Sequence, residues 1–372
     1  MRDTLISTVG TSLITNLKNS EDDGIKKYLE THNAQGLAVA LLNFPPGDRI
    51  CGAEINSIWS IVSGVLIQDR KRLIFLVSDT DEGRFTGDVL SKYYKSSKNP
   101  ARFEEVETRV VEGLTANDVN RFRNEGLRNL VRRISEVVRK VGDSSRVLIN
   151  ATGGYKAQIS FAGMIGQSLG IPVCYMYEGF SEVIQLPPQP ISLDLSFWLK
   201  YNDLFYDLEA GIEGPFVMPD EKFASLIDRE EVDGEILTTL SATGQLFHET
   251  FSHHFGQREK EILPLPSSIP EAEKKIRYED QNAGKHTGLA HFLEKVRTVP
   301  YVSEIYTFYF NPDLNTPIRF RKSAKGAVDQ VEGHFSGSGC TTKFIVLTTA
   351  KAEEENRACI ADLNIRYHSG LL

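Results

Sequence analysis

The sequence predicts an α/β protein: a Rossmann-type parallel sheet with helices on both faces, then a small helical module, then an α+β domain. Two observations predict this. Strand-like and helix-like segments alternate from residue 1 to about 200, which favours a parallel sheet, and short strands separated by turn residues follow residue 300, which favours antiparallel pairing. Because 372 residues exceed one ordinary core, we predict domains at 1–192, 193–268 and 269–372.

The elements of the first domain follow from apolar runs and their period. The predicted strands are Thr4–Val9, Gly36–Asn43, Arg72–Ser78, Arg102–Val111, Arg146–Asn150, Val173–Tyr177 and Val183–Leu186. The predicted helices between them include Glu54–Leu66, Gly83–Tyr94 and Ala116–Val141. Three prolines in the segment from Leu186 to Pro190 end this pattern and indicate the exit from the domain.

The remaining elements are predicted in the same way. The middle segment predicts a module of winged-helix type, with the elements Leu193–Ala210, Met218–Ile227, Ile236–Leu240 and Gly244–Phe255. The last domain predicts two helices, an antiparallel meander and a closing helix: Glu271–Asp280, His286–Arg297, Ser303–Phe310, Pro317–Lys322, Val328–Ser336, Thr342–Thr348 and Ala352–Tyr367. The low basic content of the middle segment argues against DNA binding there.

Composition narrows the functional class. A net charge of −8 argues against a generic nucleic-acid binder. The four cysteines are widely spaced without a C-x-x-C, so we expect reduced thiols, no zinc knuckle and no disulfide framework. No apolar run approaches the roughly 20 residues of a membrane helix, and no signal peptide is evident. We therefore expect a cytoplasmic protein without a membrane partner. His248, His253 and His254 lack an acidic or cysteine partner at metal-ligand spacing, so we expect no metal.

Two turns between a strand and a helix are suited to an anion. Asn150-Ala151-Thr152-Gly153-Gly154-Tyr155-Lys156 follows the apolar run Arg146–Ile149, and Gly10-Thr11-Ser12 follows the first strand. Such turns place backbone N–H groups, hydroxyls and here a lysine at a helix start, where phosphate binds. Two of them indicate a ligand with more than one phosphate. The alternative is a pair of ordinary tight turns.

The candidate ligand-binding residues lie at the carboxyl ends of the predicted strands, where parallel α/β sheets bind ligands. The loop after the strand Arg72–Ser78 is expected at the same edge. The candidates are Gly10, Thr11, Ser12, Asp79, Thr80, Thr152, Gly153, Gly154 and Lys156. Neither glycine turn matches G-x-G-x-x-G or G-x-x-x-x-G-K-[ST], so a dinucleotide or conventionally bound ATP is not indicated.

Residues 1 to about 190 resemble the CARF family, the CRISPR-associated Rossmann-fold sensors of cyclic oligoadenylates. The resemblance depends on the runs Ser7–Ser12, Asn150–Lys156, Tyr175–Phe180 and Ile184–Pro188. It implies a homodimer whose two sites meet across a two-fold axis and hold one ring, with cyclic tetra-adenylate as the allosteric activator and no other cofactor. The resemblance leaves open whether the site also cleaves its own ligand slowly, a step in which Lys156 or Ser12 could assist.

The C-terminal domain resembles the RelE-type toxins, which are ribosome-dependent mRNA interferases. The resemblance depends on Pro300-Tyr301-Val302, on Ile318–Lys322 and on Phe344–Lys351. Together with the CARF resemblance it implies a CRISPR-associated endoribonuclease that cuts mRNA on the ribosome, whose stalk is also a partner. HEPN ribonucleases, another class of CARF effector, are disfavoured because no arginine and histidine have the R-x(4–6)-H spacing; Arg277 and His286 are too far apart.

The residue roles follow from this second resemblance. RNA cleavage by its own 2′-hydroxyl needs charge stabilisation and proton transfer but no metal. The predicted catalytic residues are Arg319, Arg321, Lys351 and Tyr367, with His334 and His368 as further acid–base candidates. The predicted RNA-binding residues are Lys285, His286, Lys322 and Lys325. The alternatives are a CARF-regulated transcription factor or binding protein, and a CARF-linked metal-dependent nuclease.

Overall fold

The computed structural model describes residues 1–177, 179–187, 195–232, 234–324 and 326–372. The chain forms two compact units built from non-contiguous stretches. The first contains Met1–Ser192, Pro219–Asp228 and Ser241–Thr250, and the second contains Leu193–Met218, Arg229–Leu240 and Phe251–Leu372. The segment 193–268 is therefore divided between the two units, and its folding as an independent module stays a prediction.

The described residues of the first unit form a six-stranded sheet. Its strands are β1 (Thr4–Thr8), β2 (Arg72–Ser78), β3 (Glu105–Val111), β4 (Val147–Asn150), β5 (Val173–Tyr175) and β6 (Ile184–Leu186). The strand order is β3-β2-β1-β4-β5-β6. The first five strands are parallel, and β6 pairs antiparallel with β5 at the edge. The predicted parallel sheet is confirmed.

Helices cover both faces of this sheet. They are α1 (Ser12–Lys18), α2 (Asp23–Glu30), α3 (Ala34–Leu41), α4 (Gly52–Ser63), α5 (Asp81–Lys95), α6 (Val119–Arg121), α7 (Leu127–Val141) and α8 (Lys156–Ser168). Side chains of a strand alternate between the faces, so Leu5 packs in one core cluster and Ile6 in the other. Burial on both faces explains why the five residues of β1 are all buried.

Two predictions in this unit are corrected. Residues Gly36–Asn43 were predicted as a strand, but they lie in or just after α3. The side chain of Asn33 caps this helix by accepting the N–H of Gly36, and Leu37 and Leu41 share its buried face. The helix predicted from Ala116 begins at Val119 and contains a π-helical turn over Phe122–Gly126 before α7.

The middle segment contains both helices and strands. Its elements are α9 (Ser196–Lys200), α10 (Asn202–Ala210), β7 (Ile212–Glu213), β8 (Ile227–Val232), β9 (Glu235–Leu240) and α11 (Ala242–Ile262). The three strands form one sheet in the order β7-β9-β8. The helix predicted over Met218–Ile227 is wrong: Asp220 caps a short 3₁₀ turn at Glu221–Ser225, and the chain then enters β8, which pairs with β9.

The C-terminal part contains β10 (Lys275–Tyr278), α12 (Leu289–Arg297), β11 (Val302–Asn311), β12 (Arg319–Lys322), β13 (Gln330–Gly337), β14 (Cys340–Thr348) and α13 (Glu353–His368). The sheet order is β10-β11-β14-β13-β12, so β11 pairs with β14 and the predicted meander is confirmed only for β12, β13 and β14. The helix predicted over Glu271–Asp280 is wrong, because Lys275–Tyr278 pairs parallel with β11 as an edge strand.

One face of this C-terminal sheet packs against α12 and α13. Phe292 of α12 lies 6.2 Å, between ring centroids, from both Phe320 of β12 and Phe344 of β14. A Cβ atom on Gly333 would lie 2.2 Å from the Phe344 ring, so glycine is required for this packing. The core therefore lies on the face that carries Phe320, which leaves its neighbours Arg319 and Arg321 on the other face.

Among the described residues, no helix combines the length and the apolar character that crossing a bilayer requires.

Candidate functional site

Three of the predicted ligand loops follow neighbouring strands. Strand β1 pairs with β2 on one side and with β4 on the other. Because all three strands run parallel, the turns after Thr8, Ser78 and Asn150 lie along one edge of the sheet. The expected convergence of these loops is confirmed.

The two glycine turns touch each other. A Cβ atom on Gly10 would lie 2.6 Å from the backbone nitrogen of Gly154, and a Cβ atom on Gly153 would lie 3.0 Å from the nitrogen of Gly10. Gly154 itself has a φ of +113°, a region that favours glycine. The glycines are therefore required by close backbone approach and by conformation.

A carboxylate that the sequence analysis did not identify lies beneath these turns. Glu54 of α4 has no exposed surface. Its Oε1 accepts the N–H of Gly10 at 2.7 Å, and its Oε2 accepts the hydroxyl of Ser12 at 3.4 Å. A Cβ atom on Gly153 would lie 2.0 Å from Oε1. Burial raises the pKa of Glu54, and the hydrogen bonds from Gly10 and Ser12 oppose that rise.

The sequence signal for Glu54 was available but weak. It is the one acidic residue in α4, whose residues Ile55, Ile58 and Ile61 are fully buried. An acid inside an apolar helix can face solvent, and only the tertiary structure shows that this one faces the turns.

A second polar network fixes the turn after β4. The buried Asn150 donates from Nδ2 to the hydroxyls of Ser7 at 3.1 Å and Ser57 at 2.8 Å. The hydroxyl of Thr152 donates to Oδ1 of Asn150 at 2.7 Å and accepts the N–H of Met176 at 3.1 Å. Thr152 therefore joins the turn to the loop after β5, and this hydroxyl is already engaged within the protein.

Two of the predicted ligand residues, Lys156 and Thr11, have exposed side chains that could contact a ligand. Lys156 is the first residue of α8, is exposed, and has no ion-pair partner among the residues that the structure describes. Thr11 is exposed at the start of α1, and its side chain makes no capping hydrogen bond. A lysine at a helix N-terminus favours an anion through both its own charge and the helix dipole.

Asp79 and Thr80 have structural roles at this edge. The carboxylate of Asp79 accepts the N–H of Gly113 at 3.1 Å and forms ion pairs with Arg84 at 2.6 Å and Arg121 at 3.1 Å. The Gly113 N–H, followed by these arginines, lowers the pKa of Asp79. Thr80 caps α5 by accepting the N–H of Gly83 at 3.0 Å. Ligand contact by either residue stays a prediction, whereas the half-exposed arginines are anion candidates that the sequence analysis missed.

An exposed aromatic pair follows β5. The rings of Tyr177 and Phe180 lie 5.4 Å apart in an edge-to-face arrangement, and their residues are 56% and 52% exposed. Because Met176 is bonded to Thr152, this loop is attached to the second glycine turn. Exposed aromatic rings beside an anion site can stack on nucleobases.

The predicted catalytic arginines lie on one face of the C-terminal sheet. Arg319 is paired in register with His334, and Arg321 with Glu332. Arg319 forms an ion pair with Asp207 of α10. Arg321 forms one with Glu332 at 2.6 Å. Both guanidinium groups are therefore neutralised by protein carboxylates in this conformation.

His334 lies within this charged cluster. It is 2% exposed, and its Nε2 is 2.8 Å from Glu332, whereas its Nδ1 is buried without a hydrogen-bond partner among the described residues. Burial lowers the pKa of His334 to about 4; the bond to Glu332 opposes this shift, and Arg321 and Arg319 add to it. The ring is therefore neutral near pH 7 and matches a base better than an acid.

The remaining candidates of this domain are scattered. The ammonium of Lys322 is bound to Glu353 at 2.7 Å. Lys351 is exposed just before α13, and its side chain has no ion-pair partner in the described part of the chain. Tyr367 is half-buried with its ring 6.2 Å from Phe292, and burial raises its pKa.

The predicted RNA contacts of the β10–α12 turn differ in exposure. Lys285 is exposed, whereas His286 is 4% exposed. The His286 ring nitrogens lie 2.9 Å from the hydroxyl of Thr342 and 3.0 Å from the carbonyl oxygen of Gly337. This geometry assigns His286 to the hairpin packing and gives no support for a direct RNA contact. Lys325 lies outside the described residues.

The described residues contain no group of three or more His, Cys, Asp or Glu side chains placed to hold a metal ion.

Residues 49–189 match the model of a CRISPR-associated protein family, Cas_APE2256. The matched region contains Glu54 and the second glycine turn, and it covers well under half of the chain. The match agrees with the CRISPR-associated part of the sequence prediction for this region. The match does not reach Gly10 or the C-terminal sheet. No curated protein shows significant sequence similarity to the chain.

Two solved structures show distant likeness. Can2 from Sulfobacillus thermosulfidooxidans, in complex with cyclic tetra-adenylate, aligns with a TM-score of 0.25 and 12% identity. The alignment covers 70% of this chain and 66% of the Can2 chain, so this chain spans slightly less than two thirds of the length of Can2. Protein VC1899 from Vibrio cholerae aligns with a TM-score of 0.24 and 8% identity over 93% of this chain and 77% of that chain. Likeness at this level carries no inference about function.

The contact between the glycine turns predicts strong sensitivity to small substitutions. We expect Gly153→Ala to lower the free energy of unfolding by about 1–3 kcal/mol, because the added methyl overlaps the enclosed Glu54 carboxylate. Urea unfolding followed by circular dichroism measures the change. Gly163→Ala in α8 is the matched control, because its Cβ would meet nothing within 4 Å; it should be neutral or stabilise by about 0.5–1 kcal/mol. Equal effects of the two substitutions would contradict the prediction.

Proposed function

We propose that this chain is a CRISPR effector that binds cyclic tetra-adenylate at the edge formed by the glycine turns and then cleaves mRNA on the ribosome. The observation that carries the ligand step is the adjacency of two glycine turns with Lys156 on neighbouring parallel strands. The match of residues 49–189 to a CRISPR-associated family supports the biological setting. The choice of ligand depends on the sequence resemblance to CARF sensors.

The ligand would be held by complementary chemistry. Lys156, Thr11 and the α8 N-terminus face the phosphates, and the exposed rings of Tyr177 and Phe180 stack on adenine. A cyclic tetra-adenylate is two-fold symmetric, so two chains related by a two-fold axis would share one ring. The proposal therefore includes a homodimer.

The nuclease step uses the charged face of the C-terminal sheet. The RNA 2′-oxygen attacks the adjacent phosphorus, the bond to the 5′-oxygen breaks, and a 2′,3′-cyclic phosphate and a 5′-hydroxyl result. One group accepts the 2′-hydroxyl proton and another protonates the leaving oxygen. Arg319 and Arg321 stabilise the extra negative charge, since they lie on one face. Lys351 and Tyr367 complete the predicted catalytic set.

The ion pairs in this structure correspond to a resting arrangement. Asp207 must release Arg319 before that guanidinium can contact a phosphate. Asp207 lies on α10, which also contacts α13 through a hydrogen bond between Asn202 and Asn364 and through Tyr206, stacked 4.2 Å from the ring of His368. A small movement of α10 would therefore change the availability of Arg319.

A ligand-controlled DNA-binding protein is a weaker candidate. The β8–β9 hairpin, which would be the wing of a winged helix, carries Asp228, Glu230 and Glu231 on β8. Acidic residues there oppose contact with a phosphate backbone.

Lys156 provides the test of ligand binding. We expect Lys156→Gln to weaken cyclic tetra-adenylate binding by roughly tenfold or more, because one charge-assisted contact contributes about 1.5–3 kcal/mol. Isothermal titration calorimetry measures the dissociation constant. Lys27→Gln on α2, also exposed, is the matched control and should bind as the wild type does. Unchanged affinity in the Lys156 variant would remove this residue from the site.

The double variant Arg319→Ala/Arg321→Ala tests the nuclease step. We expect cleavage of a labelled mRNA on stalled ribosomes only with cyclic tetra-adenylate, and a loss of at least about 100-fold in the variant, because stabilisation of the transition-state charge is removed. Arg277→Ala on the opposite edge strand is the control and should retain activity.

Other outcomes of this assay would redirect the assignment. Cleavage of naked RNA or DNA that requires added divalent metal would identify a different nuclease. Tight ligand binding without any cleavage would support the ligand-controlled DNA-binding protein.

Asp207→Asn tests the resting ion pair. We expect this variant to show roughly fivefold more cleavage without ligand, because a partly exposed ion pair contributes about 1 kcal/mol to holding Arg319. Rates of mRNA cleavage without ligand provide the measurement, and Glu235→Gln, which is exposed on β9, serves as the charge-matched control. Basal activity equal to that of the wild type would show that this ion pair does not restrain the enzyme.

A further inference from the structure

The position of Glu54 is unusual for an acid near an anion site. Its carboxylate occupies the N–H of Gly10 and the hydroxyl of Ser12, two of the donors predicted to contact ligand phosphate. The space for a Cβ atom on Gly153 is filled by the same carboxylate. Glu54 therefore supports both glycine turns from below, where a negative charge would repel an incoming phosphate.

In the part of the chain that the structure describes, no cation compensates the charge of Glu54. The groups that contact it are the Gly10 N–H and the Ser12 hydroxyl from the β1–α1 turn, and Gly153 lies against it from the β4–α8 turn. The charge of Glu54 also raises the pKa of Tyr94 of α5. None of these carries a positive charge, and among the described residues Glu54 forms no ion pair. A fully buried carboxyl without a counterion favours its neutral form, in agreement with the raised pKa of Glu54.

We propose that Glu54 is the positioning residue of this anion site and that it holds a proton, taken from solvent, when a phosphate-bearing ligand is bound. This inference rests on the ligand step of the proposed function. The neutral acid keeps one oxygen for the N–H of Gly10. The other oxygen of Glu54 is now protonated and donates a hydrogen bond to the Ser12 oxygen. The Ser12 hydroxyl, which donates to Glu54 in this structure, then donates to the ligand instead. The existing bond from the Ala53 N–H to the Ser12 oxygen, 3.1 Å long, holds Ser12 in place during the exchange.

The test is the pH dependence of cyclic tetra-adenylate binding, measured by titration calorimetry from pH 5.5 to 8.5 in buffers of different ionisation enthalpy. For the wild type we expect affinity to fall by up to about tenfold per pH unit above the pKa of Glu54, with uptake approaching one proton per site. Glu54→Gln imitates the neutral acid, so its affinity should be independent of pH. Glu30→Gln, exposed on α2, is the control and should follow the wild type.

A ligand-free measurement separates this proposal from the choice of ligand. Only the folded state penalises ionisation of Glu54, so between pH 4.5 and the raised pKa of Glu54 the folded protein binds more protons than the unfolded chain, and this acid makes stability fall as the pH rises through that range. The Tm of the wild type should therefore decrease relative to that of Glu54→Gln between pH 5 and 8.5. If no ligand binds at any pH, the proposed ligand is wrong, and the Tm comparison still tests the proton.

Two results would overturn the proposal. One is equal pH dependence of wild type and Glu54→Gln in ligand affinity, and the other is a constant Tm difference across the pH range. If Glu54→Gln fails to fold, Ser12→Ala replaces it. This variant lacks the hydroxyl that protonation of Glu54 frees for the ligand. It should therefore weaken binding most at low pH and reduce the pH dependence of the affinity. A parallel profile of Ser12→Ala and wild type would then contradict the exchange.

Discussion

The close approach of the two glycine turns over the Glu54 carboxylate is the constraint on which the first unit depends. Strand β1 and strand β4 are hydrogen-bonded neighbours, so their turns must meet, and only residues without a Cβ atom leave room. The carboxylate fills that room and satisfies the backbone N–H of Gly10, a group that would otherwise be costly to bury unpaired. The same contact therefore holds the two turns together and determines which donors remain for a ligand.

The second unit depends on compensation of charge. Arg319, Arg321 and Lys322 lie on or beside β12, and each is bound by a carboxylate from a different element: Asp207, Glu332 and Glu353. These bonds attach α10, β13 and α13 to the edge strand. The bonds to Asp207 and Glu332 also reduce the positive potential of the sheet face that carries Arg319 and Arg321, so a polyanion can bind there only by displacing these protein carboxylates. The ion pairs that stabilise this unit therefore also keep Arg319 and Arg321 from contacting RNA in this conformation.

Much of the fold could be predicted from local pattern. The parallel strands, the helices after them and the closing helix follow from alternation and period, which are properties of short segments. The errors have a common cause. The apolar run after Asn33 suits a strand as well as a buried helix, and Lys275–Tyr278 becomes a strand because β11 offers it an edge. The helix packs against α5 and the strand pairs with β11, so partners distant in sequence decided both.

The sequence alone determined the glycine turns, Lys156 at a helix start and the basic alternation of Arg319 and Arg321. These signals are local because they require only a strand, a turn and the residues within them. Only the tertiary structure shows that Glu54 lies under the turns and that Asp79 forms ion pairs with Arg84 and Arg121. It also buried His286 and His334 and bound Arg319 to Asp207. The physical reason is that burial and charge pairing depend on which distant segments are brought together, and a single segment does not encode its own environment.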